Sequence, residues 1–139
     1  MRQIIFITAF VLATISQCFS QNDWNILKEA KTLPKVNTKA TVNGFPFEPT
    51  LYISKDSLNQ GFTIILQDPS YKVLFFCLTY DCEDCDIWSK IIYGNRVTEK
   101  NAPVLKWLKK KDILSFGLFK VEKGGKYFSI PVETIIVIQ

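Results

Sequence analysis

The stretch Tyr71–Tyr93 constrains this chain most: two strand-like apolar runs, Tyr71–Tyr80 and Asp86–Tyr93, flank a polar tip, Asp81-Cys82-Glu83-Asp84-Cys85-Asp86. The pattern predicts a β-hairpin. In the first run both alternating rows are largely apolar, with Tyr71, Val73, Phe75 and Cys77 in one and Leu74, Phe76, Leu78 and Tyr80 in the other. A strand wet on one side alternates apolar with polar, whereas a strand apolar in both rows is one covered on both sides. Tyr71–Tyr80 is therefore expected to be a central strand, and the rest of the chain must supply cover for it.

The remaining segments read mostly as strands. Lys39–Val42 is a short strand closed by the turn signal Asn43-Gly44, and Phe45-Pro46-Phe47-Glu48-Pro49 is too rich in proline for a sheet interior and is expected along an edge. Ser54 caps a single helical turn that Gly61 ends, and Phe62–Gln67 is a β-branched run turned by Asp68-Pro69-Ser70 into the hairpin. Ile113–Val121 and Lys126–Gln139 form a second pair of strands around Glu122–Gly125, with Pro131 marking an edge or a bulge. Two helices are expected. One covers Asn22–Lys31, where Trp24, Leu27 and Ala30 recur at threes, Asp23 is able to cap and Pro34 stops the run. The other runs from Thr98 or Asn101 to about Lys111, with Val104, Leu105, Trp107 and Leu108 on its core face and Lys106, Lys109 and Lys110 opposite. The fold class that follows is mainly β: a two-layer antiparallel sandwich-like domain with one packed helix and a short N-terminal helix.

The first residues concern address rather than fold. A basic start at Arg2, an uncharged run Ile4–Ile15 and the small residues Cys18 and Ser20 at the third-last and last positions of Cys18-Phe19-Ser20 read as a signal peptide cleaved after Ser20. The apolar run is shorter than the roughly 20 residues a spanning helix needs, so an uncleaved anchor is the weaker reading and no stable membrane insertion of the mature chain is expected. Lipidation at Cys18 is a further alternative, but Gln17 stands where a lipobox carries a small residue. Residues 21–139 then form a single exported domain, periplasmic or secreted, with a modest core. The whole chain's formal charge of +4 is too slight to imply a nucleic-acid partner.

Export also governs the cysteines, because an oxidising compartment lets thiols pair. Cys77, Cys82 and Cys85 remain in the mature chain, an odd number. Cys82-x-x-Cys85 reads as a disulfide across the hairpin tip. Against redox catalysis stand the four carboxylates around the motif, Asp81, Glu83, Asp84 and Asp86, which disfavour the thiolate such enzymes need. Zinc held by these thiols would have to bridge two chains, since there is no histidine to complete a site, and calcium at the tip lacks the spacing and glycine of an EF-hand. No metal or cofactor is expected. Cys77, about 16 Å from Cys82 along a straight strand, reads as a buried inert thiol.

The absence of histidine also removes Ser-His-Asp and Cys-His nucleophile systems, and the clustered acids do not resemble a glycosidase pair. No catalytic residue is assigned. Lys100, Lys106, Lys109, Lys110 and Lys111 suit a solvated helix end better than an anionic partner, and the aromatics, Phe45 and Phe47 included, are expected mainly in the core.

Three pieces of the chain carry a family resemblance: Ile53-Ser54-Lys55-Asp56-Ser57-Leu58 followed by Phe62–Leu66 and Tyr71–Leu78; Gly94-Asn95-Arg96-Val97-Thr98; and Leu105–Lys111 with Asp112, Phe116 and the closing Ile135–Ile138. In this order they resemble, over about residues 52–139, the C-terminal β-domain of GldM, the periplasmic gliding-motility and type IX secretion protein of Bacteroidetes. Lys111 stands where that family usually has glycine, and the family's membrane helix and long periplasmic shaft have no counterpart here. The resemblance implies a non-enzymatic periplasmic domain that binds another envelope protein. A thiol–disulfide or metal-binding protein working through Cys82 and Cys85 is the alternative.

Overall fold

Both rows of Tyr71–Tyr80 are apolar because the strand they form is sheltered on both faces. In the computed structural model, which describes residues 19–139, β4 (Lys72–Asp81) lies between β5 (Trp88–Tyr93) and β7 (Ile113–Lys123), antiparallel to each. Beyond β7 lie β8 (Lys126–Ile138) and then β2 (Thr50–Ile53), which completes a five-stranded sheet of order β2-β8-β7-β4-β5. A second sheet of order β1-β3-β6 is built from Ala40–Val42, Phe62–Leu66 and Arg96–Val97. Residues 1–18 of the expected signal segment, Cys18 included, lie outside the described residues, whereas Phe19 and Ser20 lie within them.

The main core includes Phe76, Leu78 and Tyr80 of β4, Leu114, Phe116, Phe119 and Val121 of β7, and Ile64 and Leu66 of the smaller sheet. Phe76, Phe116 and Phe119 stack around one point with ring centroids 5.5, 6.2 and 6.3 Å apart, and each fully buried ring of this kind stabilises the fold by roughly 1.5–3 kcal/mol. The expected class, mainly β in two packed layers, is the class observed.

The opposite row of β4 faces a second, smaller cluster under α1 (Gln21–Thr32), where Leu27 and Ala30 pack with Phe75, Ile91 and Phe19, and Trp24, Cys77 and Leu118 lie against them. The helix starts where it does because Ser20 and Asp23 form a reciprocal capping box. The Asp23 amide donates to Ser20 Oγ at 3.2 Å and the Ser20 amide to Asp23 Oδ2 at 3.1 Å, satisfying donors that a helix start otherwise leaves bare. It stops at Leu33, held extended before Pro34. The cap is thus Ser20, with Asp23 as its partner.

Register shifts bend the larger sheet beneath α1. They fall between Val73 and Phe75, between Phe75 and Cys77, and between Gly117 and Phe119. At the last of these Leu118 adopts φ 50°, and Pro131 and Val132 stand opposite it in β8. Pro131 therefore marks a bulge, where a missing N–H costs no ladder bond. Gly117 is required by contact rather than by φ: a Cβ there would sit 2.7 Å from the Val132 carbonyl oxygen.

One expectation needs correction. Residues Asn101–Lys111 do not form a helix; Pro103–Lys106 is a single 3-10 turn. Val104, Leu105 and Leu108 are buried as the periodicity predicted, but Trp107 is 56% exposed. The backbone donors beyond the turn are taken by non-helical acceptors: Lys109 N–H donates to Asp112 Oδ2 at 2.7 Å and Lys111 N–H to the Ile138 carbonyl at 2.8 Å. Asn101, expected to cap a helix, instead accepts from the Thr98 amide and donates to the Arg96 carbonyl. A segment this short has little helical stability of its own to oppose such bonds. Within this mostly antiparallel arrangement one pairing of strands is parallel: β2 runs beside β8, Thr50 next to Ile135 through Ile53 next to Ile138. Because β2 leads away through α2 (Lys55–Leu58) into the smaller sheet, its neighbour is a strand supplied much later in the chain.

Candidate functional site

On a sheet, one face is decided by the other. Leu51, Ile53, Leu114, Ile136 and Ile138 point into the core, so their sequence neighbours point out. Across the outer face the register sets Tyr52, Val137, Ile113 and Asp81 side by side on four strands. The next row is Thr50, Ile135, Ser115, Thr79 and Ser89, on five strands. In this row Thr79 Oγ1 and Ser89 Oγ share a hydrogen bond at 3.0 Å. The apolar contacts of α1 on the sheet are with Phe75, Cys77, Ile91 and Leu118, at the other end of the face. The rows beyond it remain open, with Tyr52 61% and Ile113 38% exposed.

Between the covered and uncovered parts lies a cleft of about 590 Å³. Phe19, Trp24 and Leu27 line it from the helical side, and Cys77, Leu118 and Pro131 from the sheet. Ser115 and Gly117, successive outward positions of β7, carry little bulk at its floor. The exposed Lys31, Lys35 and Glu133 also border it. Burial pushes the Cys77 thiol up to about 12, against the pull of the Lys31 ammonium, while Asp23 adds to the rise. The thiol is thus neutral and a poor nucleophile at physiological pH. It belongs to the outer face, half-buried, rather than to the core between the sheets.

The residues singled out from the sequence lie elsewhere. Cys82 and Cys85 are joined as a disulfide at the tip, with Cα atoms 5.5 Å apart, and Cys82 packs partly against the main core. Among the described residues no three His, Cys, Asp or Glu side chains converge to hold a metal ion. Lys106 pairs with Glu99 at 2.7 Å, and Lys109, Lys110 and Lys111 are exposed around a turn instead of a helix end. Lys111 takes φ 77°, the left-handed region that favours glycine. Phe45 packs against the core, and Phe47 lines a separate depression with Pro49 and Val132. Sequence reasoning missed the open face and the cleft. The available signal was the outward row of β7, Ile113-x-Ser115-x-Gly117, which thins toward a hollow.

No helix among the described residues is long and apolar enough to cross a membrane. No protein-family model matches the chain, and no curated protein matches it significantly.

Proposed function

We propose that this is an exported, non-enzymatic domain that docks onto another envelope protein through the open end of its larger sheet. The observation that carries the reading is the row Tyr52, Val137 and Ile113, which sets aromatic and β-branched side chains side by side at the surface. Flat surfaces with aromatic centres and hydroxyl-bearing surroundings are of the kind that protein interfaces use. The signal-peptide pattern of residues 1–20 supports export, and the Cys82–Cys85 disulfide fits an oxidising compartment. The resemblance of residues 52–139 to the GldM C-terminal domain supports a periplasmic place near the gliding and type IX secretion machinery.

The test is crosslinking in envelope extracts with the wild type and a Tyr52→Asp/Ile113→Asp double variant. Wild type is expected to yield a discrete crosslinked species that the variant loses. Tyr52 is well exposed, while Ile113→Asp stands opposite Asp81 and should cost about 1 kcal/mol, so the variant is compared only where its thermal transition remains cooperative. A wild type that stays monomeric and uncrosslinked, or a variant that crosslinks equally well, overturns the proposal.

A further inference from the structure

The cleft beneath α1 carries a chemistry separate from the docking face. Its walls are apolar, yet two cations border it, and neither Lys31 nor Lys35 has an ion-pair partner among the described residues. Lys31 lines the cleft, and its charge acts on the Cys77 thiol. Glu133 is the one carboxylate in the lining, and the Asp23 charge also reaches Cys77, though less than that of Lys31. With Phe19 as part of its wall, the volume of about 590 Å³ falls within the range of small-ligand pockets, roughly 300–1,000 Å³; a chain processed after Ser20 lacks that ring and keeps the walls given by Trp24, Leu27 and Leu118. The floor of the cleft is formed by three neighbouring strands, with Cys77 and Thr79 on β4, Ser115 and Gly117 on β7, and Pro131 on β8.

A cleft with apolar walls and unpaired cations beside it is complementary to one kind of molecule: a flexible apolar chain ending in a single anionic group. We propose that this cleft binds a long-chain carboxylate, with the acyl chain against Trp24, Leu27 and Leu118 and the carboxylate at Lys31 and Lys35. The hydroxyls of Thr79 and Ser115 add donors at the floor. The neutral Cys77 thiol presents no charge to repel the carboxylate. A polyphosphate is a poorer fit, because much of this lining has nothing to offer its oxygens.

Calorimetric titration with dodecanoate, below its micelle concentration, tests the assignment against dodecanol and dodecyltrimethylammonium. The expected result is saturable one-to-one binding of dodecanoate, about tenfold tighter than dodecanol, as one charge-assisted contact implies. The cationic amphiphile should bind least. In a Lys31→Glu/Lys35→Glu variant, whose melting temperature should fall only by a few degrees because Lys31 stands in the last turn of α1, dodecanoate should weaken at least about tenfold while the cation gains. Absence of saturable dodecanoate binding, equal binding of all three amphiphiles, or an unaffected charge-reversal variant each overturns the proposal. The Tyr52→Asp/Ile113→Asp variant should keep full dodecanoate affinity, so that the docking surface and the cleft are judged independently.

Discussion

Tyr80 and Asp112 hold the most consequential polar contact in the molecule. The Tyr80 hydroxyl donates to Asp112 Oδ2 at 2.8 Å, and the Lys109 amide donates to the same oxygen at 2.7 Å, with both Tyr80 and Asp112 buried. One carboxylate thereby fastens the turn before β7 to the end of β4. Burial first, and the bond to Asp112 second, push the Tyr80 phenol up to about 12. Because the folded value lies above the ordinary one near 10, this stabilisation is fully present below pH 10 and is lost as pH rises through about 12. Cys77 acts with the same sign, starting from a lower ordinary value. Tyr80→Phe is expected to cost about 1–3 kcal/mol at neutral pH and to reduce the alkaline decline, read from urea unfolding at pH 7 and pH 11. The sequence displayed Tyr80 only as one more apolar position. A hydroxyl's partner 32 residues away leaves no local trace.

At the scale of elements, Leu108 and Trp107 separate what periodicity tells from what it does not. The spacing of Val104, Leu105 and Leu108 correctly marked buried side chains, but three buried positions are as well served by a 3-10 turn held by its surroundings as by a helix. Leu108→Ala should cost about 2–5 kcal/mol, whereas Trp107→Ala, which a helix would have made comparably costly, should change stability by less than about 1 kcal/mol. Chemical denaturation of the two variants checks this. By contrast α1 was legible almost whole, because Trp24, Leu27 and Ala30 face one way and Pro34 follows. Its start was not, because Phe19 and Ser20 read as the end of a signal peptide. In the folded domain Phe19 is buried beside Trp24 and Ser20 caps the helix. A chain beginning at Gln21 forgoes a cap worth about 0.5–2 kcal/mol.

For the whole molecule, the hairpins and the two-layer class were legible because their signals are local: alternation, glycine turns and a doubly apolar strand. The division into five and three strands was not, and neither was the parallel pairing of β2 with β8, since which distant strand fills a gap is decided by packing. β8 lies between β2 and β7 and gives Ile130, Ile136 and Ile138 to the core. A chain ending at Lys123 should therefore show no cooperative thermal unfolding and should be rapidly digested by protease. The position of β8 also sets the order of events for a chain that emerges N-terminus first, from a ribosome or through a membrane channel. β4 and β5 are able to pair early, yet β2 waits for a partner until Ile135–Ile138 have emerged. The larger sheet is therefore completed only when its last strand arrives to join β2 to the rest.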